Sequence, residues 1–213
     1  MTSTSSTAAI GTAATNARPY HHGSLRAALL AEAERTVRER GAQGLSLREL
    51  ARAVGVSHAA PRRHFPDRQA LLEALAQAGF ERLGAELREA HDSAGAEFQS
   101  RLQATAAAYV CFATRDAALL ELMFAGKHRE PSDTLRLVAE SAFSVMLELI
   151  EQGQSEGALD HGEPERVALV LFATIQGVAA LVTGSIIQTD HVDQLLHDAI
   201  DRFLRGSPAA VRR

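Results

Sequence analysis

Apolar residues recur along this chain at intervals of three and four, the period of helices packed on one face. Leu25, Leu29, Ala33 and Val37 are each four residues apart, with Ser24 as the expected start and Gly41 as the stop of a first helix. From Leu45 to Arg68 the chain crowds several helix starts into two dozen residues. Ser46 with Glu49 reads as a capping box and Leu45 with Leu50 as a hydrophobic staple. Gly55 suits the positive φ on which helices often end, and Ser57 is a new N-cap only two residues on. Pro66 and Asp67 then end one helix and begin another, leaving a short projecting helix over about 58–65. Two helices joined by so short a turn cross steeply, which is the layout of a helix-turn-helix.

Beyond it, Leu72, Leu75, Gly79, Leu83 and Leu87 mark a long amphipathic helix from Asp67 to about His91. Helical patterning continues over 94–126, restarts near Ser132 after Pro131, and ends by Gly153 or Gly157. Residues 167–189 carry no charge, long enough to raise a membrane span, but two glycines, two glutamines, three threonines and a serine argue against one. In that stretch Ala173, Gly177, Ala180 and Gly184 form one smooth stripe, and Leu195, Leu196, Ala199 and Phe203 follow on the last helix. Small residues let backbones approach, so these two helices are expected to pair across a two-fold as a four-helix bundle. The expectation is an all-α chain of about nine helices: 1–17 a mobile tail, 18–68 a three-helix head, 69–206 a helical body, and 207–213 a second tail.

Composition sharpens this in one respect. The chain of 213 residues is 46% hydrophobic and 23% charged, ample for a packed core, with a net charge of −4. That sum argues against nucleic acid until it is divided. Residues 18–68 hold ten arginines against five acidic residues, together with His21, His22, His58 and His64, while the remainder holds 12 basic and 21 acidic residues. A cationic head on an acidic body concentrates phosphate attraction on one face. Lys127 is the only lysine, a bias that with abundant alanine points to a GC-rich bacterial genome and to no mechanism.

The segment from His58 to His64 offers small residues and then cations. Ala59 and Ala60 permit close approach and fit a thymine methyl, while Arg62, Arg63, His58 and His64 bond base edges or phosphates. Arg68 places a cation in the first turn of a helix, where the macrodipole disfavours it unless an anion docks, phosphate above all. With Ser46, Arg48 and Ser57 these form the expected DNA-binding set, and Arg18, Tyr20, His21 and His22 form a possible arm.

In the body the large apolar side chains Phe98, Leu102, Phe112, Met123, Phe124, Phe143, Met146 and Phe172 gather, with Tyr109, His128 and Gln176 as the few polar groups. They line an apolar pocket or form ordinary core. Cys111, the only cysteine, excludes an internal disulfide and is expected to be buried. The spacing of His191, Asp193 and His197 does not bring both imidazoles to one helical face, so no metal site is expected. No glycine-rich phosphate loop, metal cluster or nucleophile set is present to suggest an enzyme, and no cofactor is expected.

Gly41, Leu45, Ser46, Leu50, Ala51, Gly55, Val56, Ser57, His64, Phe65 and Arg68 carry a specific resemblance: the chain resembles TetR-type transcriptional regulators, whose N-terminal signature runs through these positions. It departs from the pattern at Arg62, where an aromatic is usual, and at Ala59, where glycine is usual. The resemblance implies a cytoplasmic homodimer that binds a pseudo-palindromic operator in double-stranded DNA, usually as a repressor. It further implies release by a small effector, here of apolar character, with the long fourth helix as the lever between head and body. Phe172, Gln176 and Gly177 resemble a relaxed form of a Trp-x-x-x-His-Gly pattern found in one branch of the family. Two other readings stay open at this point: a ligand-binding or adaptor protein with a drifted head, and an all-α enzyme.

Overall fold

The computed structural model describes residues 22–125, 132–159 and 161–206. The described residues form eight α-helices and no strand: α1 (His22–Arg40), α2 (Leu47–Val54), α3 (Arg68–Ser93), α4 (Phe98–Arg115), α5 (Ala117–Ala125), α6 (Asp133–Ser155), α7 (Pro164–Thr183) and α8 (Val192–Gly206). The two expected tails lie outside the described residues.

Two cores divide the chain as the apolar pattern implies. Leu25, Leu29, Ala33 and Val37 of α1 pack with Leu45, Leu50 and Phe65 and with Leu71, Leu72 and Leu75 at the start of α3. From Ala76 onward the same helix turns its apolar face into a larger core built from α4 to α8. One continuous helix thus supplies a wall to both. At Gly84 it nearly touches α6, since a Cβ there would stand 3.0 Å from the Ala142 Cα.

Several local expectations hold. Gly41 and Gly55 take φ of 70° and 76°, and Val56 N–H reaches back to Ala51 O at 2.9 Å to close α2. Asp67 accepts from Ala70 N–H at 2.8 Å to cap α3, and Ser132 from Leu135 N–H at 3.3 Å to cap α6.

Four expectations are corrected. First, α1 begins at His22, ahead of Ser24. Second, Ser46 occupies the N-cap position of α2 with extended backbone but its side chain accepts no capping bond, so the box with Glu49 does not close. Third, the segment after Ser57 is no α-helix. Turns lead into a 3₁₀ turn at Pro61–Arg63, because Pro61 has no N–H to give to Ser57 O four residues back. Last, the helical stretch over 94–126 breaks at Asp116 into α4 and α5.

By length and composition α7 is able to cross a membrane, with a mean hydropathy of 1.8 over its most apolar window. Here Leu171, Ile175, Val178 and Ala179 are buried in the body core, while Leu169, Val170, Ala173, Gly177 and Ala180 face outward.

Candidate nucleic-acid interface and effector chamber

The head presents its polar edge through α2 and the 3₁₀ segment. Pro61 and Phe65 are buried and Ala60 packs on the same core, so the segment is anchored by its apolar side. Arg26 lies over the Phe65 ring, 5.5 Å from its centroid. The opposite side carries Ser57, His58, Ala59, Arg62 and Arg63, all exposed, with Arg48 and Arg52 exposed one turn apart on α2. Among the described residues no ion pair or side-chain hydrogen bond engages the guanidinium groups of Arg48, Arg52, Arg62 and Arg63. Four exposed cations on one side of a small head give that side a positive potential that attracts an anionic partner.

Arg68 differs. Its Nε donates to Leu45 O at 3.1 Å and one Nη to Ala42 O at 2.6 Å, so this first-turn cation has carbonyl acceptors within the head itself. No docked anion is needed to explain it. Ser46 and His64 are half-buried. Of the possible arm, Arg18, Tyr20 and His21 lie outside the described residues, and His22 is the first residue of α1.

The body holds a cavity of about 590 Å³ between α3, α5, α6 and α7. Of the candidate pocket residues, Met123, Phe124, Phe143, Met146 and Phe172 line it. Its rings interlock edge to face, with centroids 5.1 Å apart for Phe143 and Phe172 and 5.9 Å for Phe80 and Phe124. Phe80, Leu135, Ala139 and Ala168 also line it and were missed, although Phe80 shares the α3 stripe with Leu83 and Leu87. Arg136, Glu140 and Glu165 add charge to the lining, Arg136 being paired with Glu140 at 3.0 Å.

Other pocket candidates are core. Phe98 is wedged against Gly153, where a Cβ would come within 2.5 Å of its ring. Leu102 is buried, as is Phe112 beneath the guanidinium groups of Arg82 and Arg115. Tyr109 donates to Gln176 Oε1 at 2.5 Å behind Phe172, and burial pushes its phenol above the ordinary range. Neither reaches the chamber, though Gln176 lines a second hollow with Ala180 and Thr183. His128 lies outside the described residues.

Along α7 the small residues Ala173, Gly177, Ala180 and Gly184 face outward, as the stripe requires. On α8 the expectation is corrected at Leu196, which is buried in the protomer's own core, and Leu195, Ala199 and Phe203 are half-buried against that core. The helix packs Leu196 and Ile200 inward, while Leu195, Ala199 and Phe203 keep part of their surface exposed. Cys111 is exposed instead of buried, because Tyr109, Val110, Phe112 and Ala113 take the inner face of α4. No group of three metal-ligating side chains occurs among the described residues, and His197 contacts Gln103.

A feature that sequence reasoning did not anticipate is an ionic cluster where head meets body. Asp116, only 2% exposed at its side chain, receives Arg38 Nη2 at 2.8 Å and Arg115 Nε at 2.7 Å, with Arg82 Nη2 at 3.5 Å. Burial by itself would raise its pKa. The hydrogen bonds from Arg38 and Arg115 and the charges of Arg82 and Arg115 outweigh it and hold the carboxyl below the ordinary aspartate range. Arg82 also pairs with Glu34 at 2.9 Å, and Arg115 with Glu86 at 2.8 Å.

A helical head with projecting, uncompensated cations, set on a separate helical body with a cavity, defines a helix-turn-helix DNA-binding regulator. Comparison with known proteins gives the family. Residues 29–75 match bacterial regulatory proteins of the tetR family, and residues 102–203 match the tetracyclin repressor-like C-terminal domain. The chain belongs to the TetR family of transcriptional regulators. It is 44% identical to a protein of unknown function from a Rhodococcus species over 90% of this chain and 100% of that one, with a TM-score of 0.84. At 17% identity it shares the fold of PfmR, a TetR family regulator from Thermus thermophilus, over 87% of this chain and 99% of that one (TM-score 0.65). At 18% identity it shares the fold of AibR, solved with isovaleryl coenzyme A and operator DNA, over 84% and 96% of the two chains (TM-score 0.63). The sequence matches no curated protein.

Proposed function

We propose that this chain represses transcription by binding a two-fold operator as a homodimer and leaves it when a small apolar molecule occupies the α3–α5–α6–α7 chamber. The observation that carries the reading is the set of four guanidinium groups on α2 and the 3₁₀ segment that lack partners in the head. Arg62 and Arg63 project beside Ser57, His58 and Ala59 toward a major groove, and Arg48 and Ser46 flank the entry of α2. Arg62 replaces the family's usual aromatic as a charged phosphate contact. Arg18, Tyr20, His21 and His22 are kept in this reading as a further DNA-contacting arm.

Dimerisation through the exposed α7 stripe sets the two heads at the spacing of successive major-groove faces. An apolar effector that prefers a different head spacing lowers operator affinity through that preference alone. The apolar chamber supports such a ligand, and AibR, in the same fold, was solved with both an acyl thioester and operator DNA. The reading places the protein in the cytoplasm, with DNA, effector and a second copy as partners and no catalytic role. Selection of bound duplexes from a random library by the purified protein tests it. Enrichment of a two-fold site is expected, whereas a folded dimer that enriches no sequence contradicts it.

A further inference from the structure

The nine residues of α5 touch both halves of the molecule. Its last turn puts Met123 and Phe124 into the chamber wall. Ala118 and Leu122 pack against the head core, and Leu122 against the body core as well. At its N-terminal end stands Asp116, with one oxygen bonded to Arg38 of α1 and the other to Arg115 of α4.

Arg82 of α3 is only partly satisfied, since its Nη1 alone is hydrogen-bonded, to Glu34 of α1. Its Nη2 stands at ion-pair distance from Asp116 Oδ2, yet neither that atom nor Nε, both buried, has a hydrogen-bond partner among the described residues. A buried carboxylate must stay paired, so it does not simply let go of one arginine; it exchanges one for another. Two arrangements of Asp116 are then distinguished: the one seen here, with Oδ1 on Arg38 and Oδ2 on Arg115 at 3.5 Å from Arg82, and one in which the carboxylate leaves Arg38 and closes on Arg82. A displacement of α5 by less than an ångström is enough to interchange 2.8 Å and 3.5 Å contacts.

We infer that Asp116 is the positioning residue that reports chamber occupancy to the DNA head: a ligand displacing Met123 and Phe124 shifts α5, moves Asp116 from Arg38 toward Arg82, and loosens α1, which then keeps only the Glu34–Arg82 pair as its tie to the cluster. The inference rests on the effector reading above. It differs from a lever formed by α3 alone, in which α1 follows the long helix whether or not Arg38 is present. A coupling claim needs a two-state element that both sites bias, and the shared carboxylate is that element.

Hydrogen exchange on the full chain, read by mass spectrometry, tests this without a known ligand or operator. Ala139→Trp fills the chamber from α6, and Ala168→Phe does so from α7 should the first not fold. Arg38→Met cuts the link from Asp116 to the head together with the pair Arg38 makes with Glu34 on its own helix, a pair that D116N leaves in place, and since the Arg38 side chain is 55% exposed the fold tolerates its loss. Filling the chamber is expected to speed exchange of α1 amides by about fivefold or more, the lower end of ordinary allosteric coupling. In the R38M background the same filling changes α1 exchange by less than about twofold, in D116N likewise, and R38K restores the effect. An equal α1 response with and without Arg38 overturns the inference, as does no α1 response to either filled chamber. Because the readout is on the protein alone, absence of operator binding counts against the proposed function and leaves this coupling standing.

Discussion

Pro61 stands four residues beyond Ser57, where an α-helix would hand a backbone N–H to the Ser57 carbonyl, and that carbonyl is taken instead by Ala60 N–H at 3.0 Å. The tighter winding continues with Arg63 N–H on Ala60 O and His64 N–H on Pro61 O, so the segment is a 3₁₀ turn with its cations exposed.

Pro61→Ala is expected to convert this segment to α-helix while leaving stability nearly unchanged. The new N–H gains one hydrogen bond, about 1 kcal/mol, and the loss of proline's restraint on the unfolded chain costs about 0.4–1 kcal/mol. The change appears in recognition. Arg62 and Arg63 rotate relative to the buried Phe65 anchor, so the base preference of selected duplexes shifts. An unchanged preference with an α-helical segment by NMR rejects the link between winding and readout.

Arg63 and Arg68 separate recognition from scaffold. Arg63→Ala is expected to leave the melting midpoint unaltered and to weaken operator binding with altered preference at one position, by about 1–3 kcal/mol if the contact is to a base edge. Arg68→Ala removes bonds to Leu45 O and Ala42 O and is expected to destabilise the head by about 1–2 kcal/mol, exposure reducing the usual value for charged donors. Denaturation curves and binding isotherms of both variants decide. A stable R68A protein with uniformly weakened binding to all duplexes would return Arg68 to the phosphate contacts.

The depressed Asp116 pKa gives stability a defined acid limb. A carboxyl held below its unfolded value of about 4 contributes fully above that value and loses its contribution as pH falls through the lower folded value. At pH 7, Asp116→Asn is expected to cost about 1–3 kcal/mol, less than for a fully buried pair because Arg38 and Arg115 are each about half exposed. The difference between the two proteins shrinks as pH falls below about 4, where the native side chain becomes neutral too. Urea titrations at several pH values measure it, and a constant difference down to about pH 2 excludes this role for the carboxylate.

Gly177 isolates dimerisation from folding. A Cβ there meets nothing within 4 Å in the protomer, so Gly177→Glu is expected to fold with unchanged helicity and to sediment as a monomer of 22.8 kDa. A dimer that survives this charge places the interface elsewhere.

The fold was legible because helical period, proline and glycine act locally. Gly41, Gly55, Asp67 and Ser132 end or begin helices where their chemistry says they must. The 3₁₀ segment was written in Pro61 but masked by the stronger signal of Ser57 as a cap. The pocket was half legible: apolar residues announce burial, not whether the buried space is filled, and only the packing of Phe98 on Gly153 and of Phe112 beneath two arginines tells core from chamber wall. Leu196 shows the same limit for interfaces, since an apolar stripe does not say whether its partner lies in the same chain. Asp116 was illegible because its meaning depends on Arg38 and Arg82, 78 and 34 positions away.

The most direct measurement of the central claim is fluorescence anisotropy of the dimer on a selected two-fold duplex across salt concentrations. The four unpaired arginines on α2 and the 3₁₀ segment make eight in the proposed dimer, which predicts a slope of log affinity against log salt between about −4 and −7, with scrambled duplex bound at least about a thousandfold more weakly. A slope shallower than about −1, or equal binding to scrambled duplex, contradicts a DNA-reading head.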